Sequence, residues 1–389
     1  MKKAFLILEN GTVFEGRAES SEREVISEIV FNTSMTGYLE VLTDPSYAGQ
    51  SVCMTYPLIG NYGVCREDSE SDGPHVDAFI VNELSRLDSN FRSGGTLKDY
   101  LNEYDIPCIS GVDTRRLTKL LRESGTMNGM ITTAEDYSLE EVIPRLKAYK
   151  TGKVVEKVTT SGIYEVGSGS RKIAILDVGM KKDIALKLAK RGCTVKVYPA
   201  ATPAEVILAG RPDGIMISNG PGDPKECTEI IKEIRKLYDT DIPIFAICLG
   251  HQLMALSVGG DTHRLKYGHR GANHPVRDLE TGRVYISSQN HGYVVDETSI
   301  PPSIAVPAFV NVNDGTNEGL KYTDKNIFTV QFHPEACAGP LDSEYLFDRF
   351  ISMIENSRIE NPGKENFRKE NSRIEDSRIE NSRIEQEKN

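Results

Sequence analysis

The chain has 389 residues, of which 39% are hydrophobic and 26% are charged, and its formal net charge is −11. This length predicts two or three domains, and the composition is typical of a globular protein that buries a large core. The acidic balance argues against a general nucleic-acid-binding protein, which would carry a basic face. No segment approaches the roughly 18 apolar residues of a membrane span. We therefore expect a cytoplasmic protein with neither nucleic acid nor membrane as a partner.

The N-terminal apolar run ends at Glu9 and is followed by Asn10-Gly11, a pattern that predicts a first strand and a turn rather than a secretion signal. Residues 1–150 are rich in strand and turn patterns, with a short basic helix at 117–122. Residues 151–170 lose periodicity and end in Gly-Ser-Gly-Ser, which is typical of a flexible linker.

Residues 171–355 have a different pattern, in which apolar strands alternate with helices. Strands are predicted at 173–177, 195–198, 214–218 and 242–247, with helices at 183–191, 203–209 and 226–237. This alternation predicts an α/β fold with a doubly wound, mainly parallel sheet, whose ligands bind beyond the carboxyl ends of the strands. Short strands and turns from 262 to 330 predict an antiparallel extension of the sheet.

Residues 356–389 repeat the motif Asn-Ser-Arg-Ile-Glu. A period of five matches neither a helix face nor a strand face, and charged residues dominate. The repeats therefore predict a disordered or transiently helical tail, with a partner-binding segment as the alternative.

Cys248 ends the fourth of these apolar strands, and Gly250 follows where a helix begins. A corner of this kind exposes one side chain at the tip of a sheet, as in a nucleophile elbow, and helix N-terminal amides favour a thiolate there. The alternative is a buried core cysteine. The seven cysteines are odd in number and form no Cys-x-x-Cys pair, which argues against a disulfide framework and a zinc site. We expect no metal site.

His333 and Glu335 follow another apolar strand and flank a proline that fixes the turn between them. A thiol nucleophile needs a base, and the base needs an orienting group, so these two residues complete a candidate triad with Cys248. The alternative for His333 is a structural histidine. We expect His251 to pack locally, and His263, His269 and His274 to lie in turns.

Gly220 and Gly222 come directly after a predicted strand. They make a turn, or they supply backbone amides to a developing oxyanion, for which the amide of Leu249 is the other natural donor. Gln252 and the polar run 290–293 could bind a polar substrate.

The run 246–252 (Ala-Ile-Cys-Leu-Gly-His-Gln), taken with 333–335 (His-Pro-Glu), resembles the catalytic motifs of class I, or triad, glutamine amidotransferases. That family usually has glycine at the position of Ala246, a difference of one methyl group. The runs 218–224 and 271–276 are similar to those of a narrower family, the small glutamine-hydrolysing subunits of carbamoyl-phosphate synthetases. The segments 31–38, 42–47 and 111–118 resemble the N-terminal domain of these subunits, which other class I amidotransferases lack. The tail has no counterpart in the resemblance.

The resemblance implies that Cys248 attacks the side-chain amide of glutamine and releases ammonia, and that water then cleaves the glutamyl thioester to glutamate. His333 would act as the base and Glu335 would orient it. The implied glutamine-binding residues are Ser46, Gly220, Gly222, Leu249, Gln252, Asn290, Gly292 and Tyr293. The family commonly has phenylalanine at the position of Tyr293, so the ring is kept.

The resemblance also implies a heterodimer with a carbamoyl-phosphate synthetase large subunit, on which the N-terminal domain would dock. Ammonia would reach that subunit through an internal channel. There ATP and Mg²⁺ would serve to make carbamoyl phosphate from bicarbonate, for pyrimidine and arginine synthesis. The chain has no Gly-x-x-x-x-Gly-Lys run, so we expect no cofactor in it and assign ATP to the partner.

Two alternatives remain at this point. A class I amidotransferase serving anthranilate or GMP synthesis would share the triad, but the N-terminal 150 residues argue against it. A non-catalytic scaffold could keep the fold, but the intact Cys248, His333 and Glu335 argue against that.

Overall fold

The computed structural model of the chain describes residues 2–336 and 338–360. Its strands form a closed seven-stranded barrel near the N-terminus and an open ten-stranded sheet after it, besides a small two-stranded sheet. This architecture confirms the predicted fold class, a strand-rich N-terminal domain followed by a doubly wound sheet. Parallel strands occupy the centre of that sheet.

The N-terminal domain consists of short strands and four helices. Its strands are β1 (Lys3–Leu8), β2 (Val13–Ala18), β3 (Val25–Asn32), β4 (Gln50–Met54), β5 (Leu58–Ile59), β6 (Ala78–Ile80), β7 (Glu83–Leu84), β8 (Cys108–Ser110) and β9 (Met127–Thr132). Its helices are α1 (Tyr38–Thr43), α2 (Leu97–Glu103), α3 (Thr114–Ser124) and α4 (Leu139–Ala148). The barrel order is β1-β2-β8-β6-β4-β3-β9, and β5 pairs with β7 alone.

The predicted first turn is present, because β1 and β2 form an antiparallel hairpin in which Gly11 has a φ of 85°. A positive φ is readily adopted by glycine, which has no Cβ to clash. The predicted basic helix lies within α3, where the Asp113 side chain accepts a hydrogen bond from the Arg116 amide at 2.8 Å. That contact caps one of the amides that a helix start leaves unpaired.

The second sheet has ten strands. They are β10 (Tyr164–Val166), β11 (Arg171–Asp177), β12 (Cys193–Pro199), β13 (Gly214–Ile217), β14 (Ile244–Ile247), β15 (Asp261–Asp278), β16 (Val284–Asp296), β17 (Ala305–Asn311), β18 (Asn317–Tyr322) and β19 (Ile327–Val330). The helices are α5 (Val155–Val158), α6 (Lys182–Lys190), α7 (Ala204–Ala209), α8 (Thr228–Tyr238), α9 (Leu249–Ser257) and α10 (Tyr345–Glu360). The strand order is β10-β12-β11-β13-β14-β19-β18-β17-β15-β16.

The five strands from β12 to β19 in this order are parallel, and β18, β17, β15 and β16 extend the sheet antiparallel, as predicted. The parallel strands β13, β14 and β19 are buried along their whole length because helices cover both faces of the sheet. Helices α7, α8 and α9 bury Ile207, Ile234 and Leu253 on one face. On the other face, α6 and α10 bury Leu188 and Phe350.

Two boundaries differ from the sequence predictions. The segment 151–170, predicted as a flexible linker, contains α5 and β10, and β10 pairs with the edge strand β12. An open sheet edge offers unpaired backbone groups, which a short strand can satisfy whatever its side chains. Residues 356–360, predicted as part of the tail, continue α10, and Arg358 forms an ion pair with Asp213. The rest of the predicted tail lies outside the described residues.

The two domains meet beside the carboxyl ends of the parallel strands. The amide of Thr33 donates a hydrogen bond to the carbonyl of Arg270 at 3.3 Å, and Arg264 forms an ion pair with Glu28. None of the helices in the described part of the chain has the length and apolar character needed to cross a bilayer.

Candidate active site

The corner between β14 and α9 has the strained geometry of a nucleophile elbow. Cys248 joins the two elements with φ 53° and ψ −107°, a backbone conformation that a residue with a side chain rarely adopts. Gly250 is required directly after it, since a Cβ at this position would lie 2.8 Å from the carbonyl oxygen of Ser218. The strand-to-helix corner that the sequence predicted is therefore present.

Backbone amides surround this corner. Leu249 is the first residue of α9, where an amide has no acceptor within its own helix. Gly220 follows β13, and a Cβ there would clash with the backbone carbonyl of Val178 and would lie 2.9 Å from a methyl carbon of Leu249. The loop after β13 therefore approaches the elbow closely only because it has glycine at this point.

His333 and Glu335 lie beside the elbow, and both are buried. Nδ1 of His333 donates a hydrogen bond of 2.6 Å to Oε1 of Glu335. The His333 amide bonds the carbonyl of Ser288 on β16 at 2.9 Å, which fixes the backbone of the base. The proline between the two residues thus lets the carboxylate reach the ring nitrogen, as the spacing predicted.

Cys248 lies close enough to His333 to affect the charge of its imidazole. Burial opposes a positive charge on His333, but the Glu335 carboxylate and the Cys248 sulfur outweigh it and raise the pKa of the imidazole above its ordinary value. Nε2 of His333 is buried without a hydrogen-bond partner, while the thiol of Cys248 donates to the carbonyl of Asn290 at 3.7 Å. Catalytic hydrogen bonds are often loose before substrate binds, so rotation of the thiol toward Nε2 can complete the triad.

Lys181 is a fourth member of this group that the sequence analysis missed. It lies in the loop between β11 and α6, at the carboxyl edge of the sheet, and is buried. Its ammonium donates to Oε1 of Glu335 at 3.1 Å and to the carbonyl of Ala336 at 2.6 Å. Burial opposes a charge on Glu335, but Lys181 and His333 outweigh it and lower the pKa of the carboxyl group. The only signal in the sequence was a lysine after a predicted parallel strand.

A cavity of about 380 Å³ opens at Cys248. Seven of the eight residues that the resemblance implied for glutamine also line it, and Leu249 does not. These seven are Ser46, Gly220, Gly222, Gln252, Asn290, Gly292 and Tyr293. The N-terminal domain contributes Ser46, so the cavity lies between the two domains.

Hydrogen bonds between the two domains hold the cavity wall. The side-chain amide of Asn219 donates to Oγ of Ser46 at 2.8 Å, and that of Asn290 donates to Oδ2 of Asp44 at 2.9 Å. Within the second domain, Nε2 of Gln252 donates at 2.9 Å to the carbonyl of Tyr293. Asp44 and Asn219 lie within the quoted motifs 42–47 and 218–224, yet sequence reasoning did not select them.

Of the six histidines outside the triad, three are buried, two are partly buried and one is exposed. His251 contacts the hydroxyl of Thr329 through Nδ1 at 2.7 Å, and burial lowers its pKa to about 3, so it packs as a neutral residue, as expected. The prediction of turns for His263, His269 and His274 was wrong, because all three lie in β15. The glycines and proline of this segment mark irregular pairing with β16, whose register shifts twice.

Comparison with known proteins gives the family. Residues 174–353 match the family Glutamine amidotransferase class-I, and residues 6–131 match the family Carbamoyl-phosphate synthase small chain, CPSase domain. The carbamoyl phosphate synthase small chain of Clostridium perfringens is 51% identical over 349 residues, which cover 90% of this chain and 99% of that protein. The chain belongs to the carbamoyl-phosphate synthase small-chain family.

A second relative agrees with this placement. The carbamoyl phosphate synthase small chain of Bacillus caldolyticus is 49% identical, with 90% of this chain and 96% of that one covered. A solved glutamine amidotransferase of Thermotoga maritima is 21% identical and has a TM-score of 0.35, with 50% of this chain and 85% of that one covered.

Proposed function

We propose that this small chain hydrolyses glutamine and supplies the ammonia to a carbamoyl-phosphate synthetase large subunit. The observation that carries the proposal is the strained Cys248 beside the buried His333–Glu335 pair, at the floor of a cavity between the two domains. Family membership supports the same activity, since the chain has both the amidotransferase region and the small-chain region.

The first half of the reaction forms a thioester. His333 takes the proton of the Cys248 thiol, and the sulfur attacks the carbonyl carbon of the glutamine side chain. The resulting oxyanion is stabilised by the backbone amides of Leu249 and Gly220. His333 then returns the proton to the nitrogen, the C–N bond breaks, and ammonia leaves.

The second half of the reaction regenerates the thiol. His333 accepts a proton from water, which adds to the thioester carbonyl, and the collapse of that adduct releases glutamate and the protonated sulfur of Cys248. Glu335 holds the imidazole in the required tautomer and stabilises the imidazolium that forms in both halves. Lys181 keeps Glu335 ionised.

The cavity walls offer groups that suit glutamine. We assign contacts with the substrate to Ser46, Gly220, Gly222, Leu249, Gln252, Asn290, Gly292 and Tyr293. Residues of both domains line the cavity and support this assignment, because polar groups on two sides of the cavity can contact a polar substrate. Closely spaced polar groups of fixed geometry discriminate strongly against analogues that lack a matching donor or acceptor.

A second cavity supports a route for ammonia. It has a volume of about 20 Å³, touches His333, and shares Asn290 with the glutamine cavity. Ser34, Asp44 and Lys181 line it, so it lies between the triad and the N-terminal domain. A small polar cavity of this kind suits ammonia leaving the triad, because ammonia needs hydrogen-bond partners.

The N-terminal domain has a surface suited to the large subunit. Phe91 is 97% exposed and Leu87 is 80% exposed, in the segment between β7 and α2. Exposed apolar patches mark contact sites on proteins, and these two side chains lie on one short segment. We assign ATP, Mg²⁺ and bicarbonate to the large subunit and no cofactor to this chain. The free cysteines among the described residues fit a cytoplasmic location.

The test compares two nitrogen donors in the complex with the large subunit. We expect Cys248→Ser to abolish carbamoyl phosphate synthesis from glutamine and to leave synthesis from ammonium at the wild-type rate. The matched control is Cys227→Ser, a thiol away from the triad, which should leave both rates unchanged. Equal loss with both donors in Cys248→Ser would overturn the proposal.

A further inference from the structure

A cluster of two histidines and a glutamate lies in the antiparallel part of the second sheet, and glutamine hydrolysis as proposed does not use it. His269 is on β15, His291 is on β16 and Glu318 is on β18. One ligand atom of each residue lies within 4.8 Å of the others. All three residues are buried, and Glu318 has no exposed surface.

The spacing of these atoms fits a tetrahedral metal ion. Nδ1 of His269 lies 3.2 Å from Nε2 of His291 and 3.6 Å from Oε1 of Glu318. Ligands at about 2.0–2.1 Å from a tetrahedral zinc ion are roughly 3.3–3.4 Å from one another. Two of the three ligand-to-ligand distances are therefore close to those of a zinc tetrahedron, and the third is below 4.8 Å.

In each imidazole, the ring nitrogen that is not a proposed ligand (the outer nitrogen) already has a hydrogen-bond partner. Nε2 of His269 bonds Oδ2 of Asp314 at 2.8 Å, and Nδ1 of His291 bonds the carbonyl of Tyr293 at 2.8 Å. An ionised carboxylate and a carbonyl only accept hydrogen bonds, so these outer nitrogens carry the hydrogens. The inner nitrogens then present lone pairs to one point, which is how second-shell contacts orient zinc-binding histidines.

The carboxylate oxygens of Glu318 do not have a full set of hydrogen-bond partners. Oε1 of Glu318 accepts a hydrogen bond from Asn311 at 2.9 Å, but Oε2 is buried without any partner. A buried carboxylate is costly unless a cation compensates it. The side-chain oxygen of Gln289 lies 3.2 Å from Nε2 of His291 and offers a fourth ligand.

We propose that His269, His291 and Glu318, with Gln289, bind a structural zinc ion. Two imidazoles favour zinc over magnesium or calcium, which prefer oxygen ligands alone. This site contrasts with the expectation of no metal in the chain. His291 lies between two residues assigned to glutamine, Asn290 and Gly292, so the ion would fix the strand that forms this wall of the cavity.

A proton is the competing occupant of this point. Burial opposes a charge on His269, but hydrogen bonds with Asp314 and Glu318 raise its pKa to about 9. A proton between the two inner nitrogens would satisfy both of them without a metal. The two occupants are distinguished by metal binding measured directly, without any assay of activity.

The test titrates Zn²⁺ into the full-length, chelator-treated chain by calorimetry and measures the zinc retained after gel filtration. We expect one tightly bound ion per chain and a higher melting temperature with zinc. Glu318→Gln keeps the size of the side chain and removes its charge, and it should weaken zinc binding at least about tenfold. The matched control, His263→Gln, replaces an exposed histidine of β15 and should bind zinc like the wild type.

Cobalt gives a second readout on the wild-type chain, which applies even if Glu318→Gln does not fold. Bound Co²⁺ should show the intense visible absorption of a tetrahedral N/O site, and Zn²⁺ should displace it. Thiols are the same in all variants, so binding to cysteine cannot produce the difference between Glu318→Gln and His263→Gln. Substoichiometric zinc in the wild type, or equal affinity in the two variants, would show that these residues do not bind zinc and would overturn the proposal.

Discussion

Lys181 and Glu335 form an ion pair of 3.1 Å that is almost completely buried behind the imidazole of His333. Lys181 follows β11 and Glu335 follows β19, and both strands end at the carboxyl edge of the second sheet. The fold therefore brings together two residues that are 154 positions apart in the chain. Because buried charges are stable only when paired, this contact sets the charge of the carboxylate that orients the base.

Replacing Lys181 should therefore impair both stability and catalysis. Lys181→Met leaves the Glu335 carboxylate without its cation, and breaking a buried pair costs about 3–5 kcal/mol. The pKa of Glu335 is below its ordinary value in the folded chain, so its charge stabilises the fold above the unfolded pKa. This stabilisation by the Glu335 charge is lost as the pH falls through the pKa of Glu335 in the folded chain. Lys181→Met should raise that pKa, so the stabilisation should be lost at a higher pH.

The measurement is the pH dependence of glutamine hydrolysis, with urea unfolding at each pH. The acidic limb of kcat should shift to higher pH in Lys181→Met. Lys182→Met is the matched control, since the ammonium of Lys182 bonds the carbonyl of Glu67 away from the triad. An unchanged acidic limb in Lys181→Met would contradict the role of the ion pair.

Gly250→Ala should destabilise the elbow. The added Cβ would meet the backbone carbonyl of Ser218 at 2.8 Å, and backbone cannot move aside as a flexible side chain can. Overpacking of this kind costs about 1–3 kcal/mol. Gly162→Ala is the control, because a Cβ there has no neighbour within 4 Å. Urea unfolding compares the two, and equal stability would contradict the packing argument.

Ser46→Ala tests the contribution of the N-terminal domain to the glutamine cavity. The hydroxyl accepts a hydrogen bond from Asn219, and its loss leaves a buried amide unpaired, at a cost of about 1–3 kcal/mol. We expect KM for glutamine to rise about tenfold while kcat changes less. Steady-state kinetics of the complex measure both constants, and Ser303→Ala, at an exposed serine outside the cavity, serves as the control. A KM equal to that of the control would remove Ser46 from the site.

Truncation after residue 360 should leave glutamine turnover intact, since the triad and the cavity lie entirely before that point. Truncation after residue 355 also removes Arg358, whose guanidinium pairs with Asp213 at the start of β13. The shorter chain should therefore unfold at a lower temperature. Thermal unfolding and glutaminase assays of both chains check this, and a large loss of turnover in the longer chain would give the repeats a role in catalysis.

The parallel half of the second sheet could be predicted because its signals are local. Apolar runs such as 173–177 and 242–247 alternate with helical spacing, and buried parallel strands need such runs. The closed barrel could not be predicted in the same way. Strands as short as β6 and β8 gain their stability from neighbouring strands that are distant in the chain. Their own sequences therefore carry little information about their structure.

The candidate site divides in a similar way. Cys248, His333 and Glu335 were found because each stands next to a strand end in a spacing that chemistry explains. Lys181 was missed because a lone lysine in a loop has no partner within its own segment. The histidines of β15 were misplaced because Gly268 and Gly271 signal turns locally, while pairing with β16 keeps the strand extended.

The central claim is that the sulfur of Cys248 carries the glutamyl group during turnover. It is tested most directly by rapidly quenching the complex with labelled glutamine in acid and locating the label by mass spectrometry of the digested chain. The account predicts one glutamyl thioester per active site on the peptide that contains Cys248, and none in Cys248→Ser. A denatured protein that carries no label, or label attached to another residue, would contradict it.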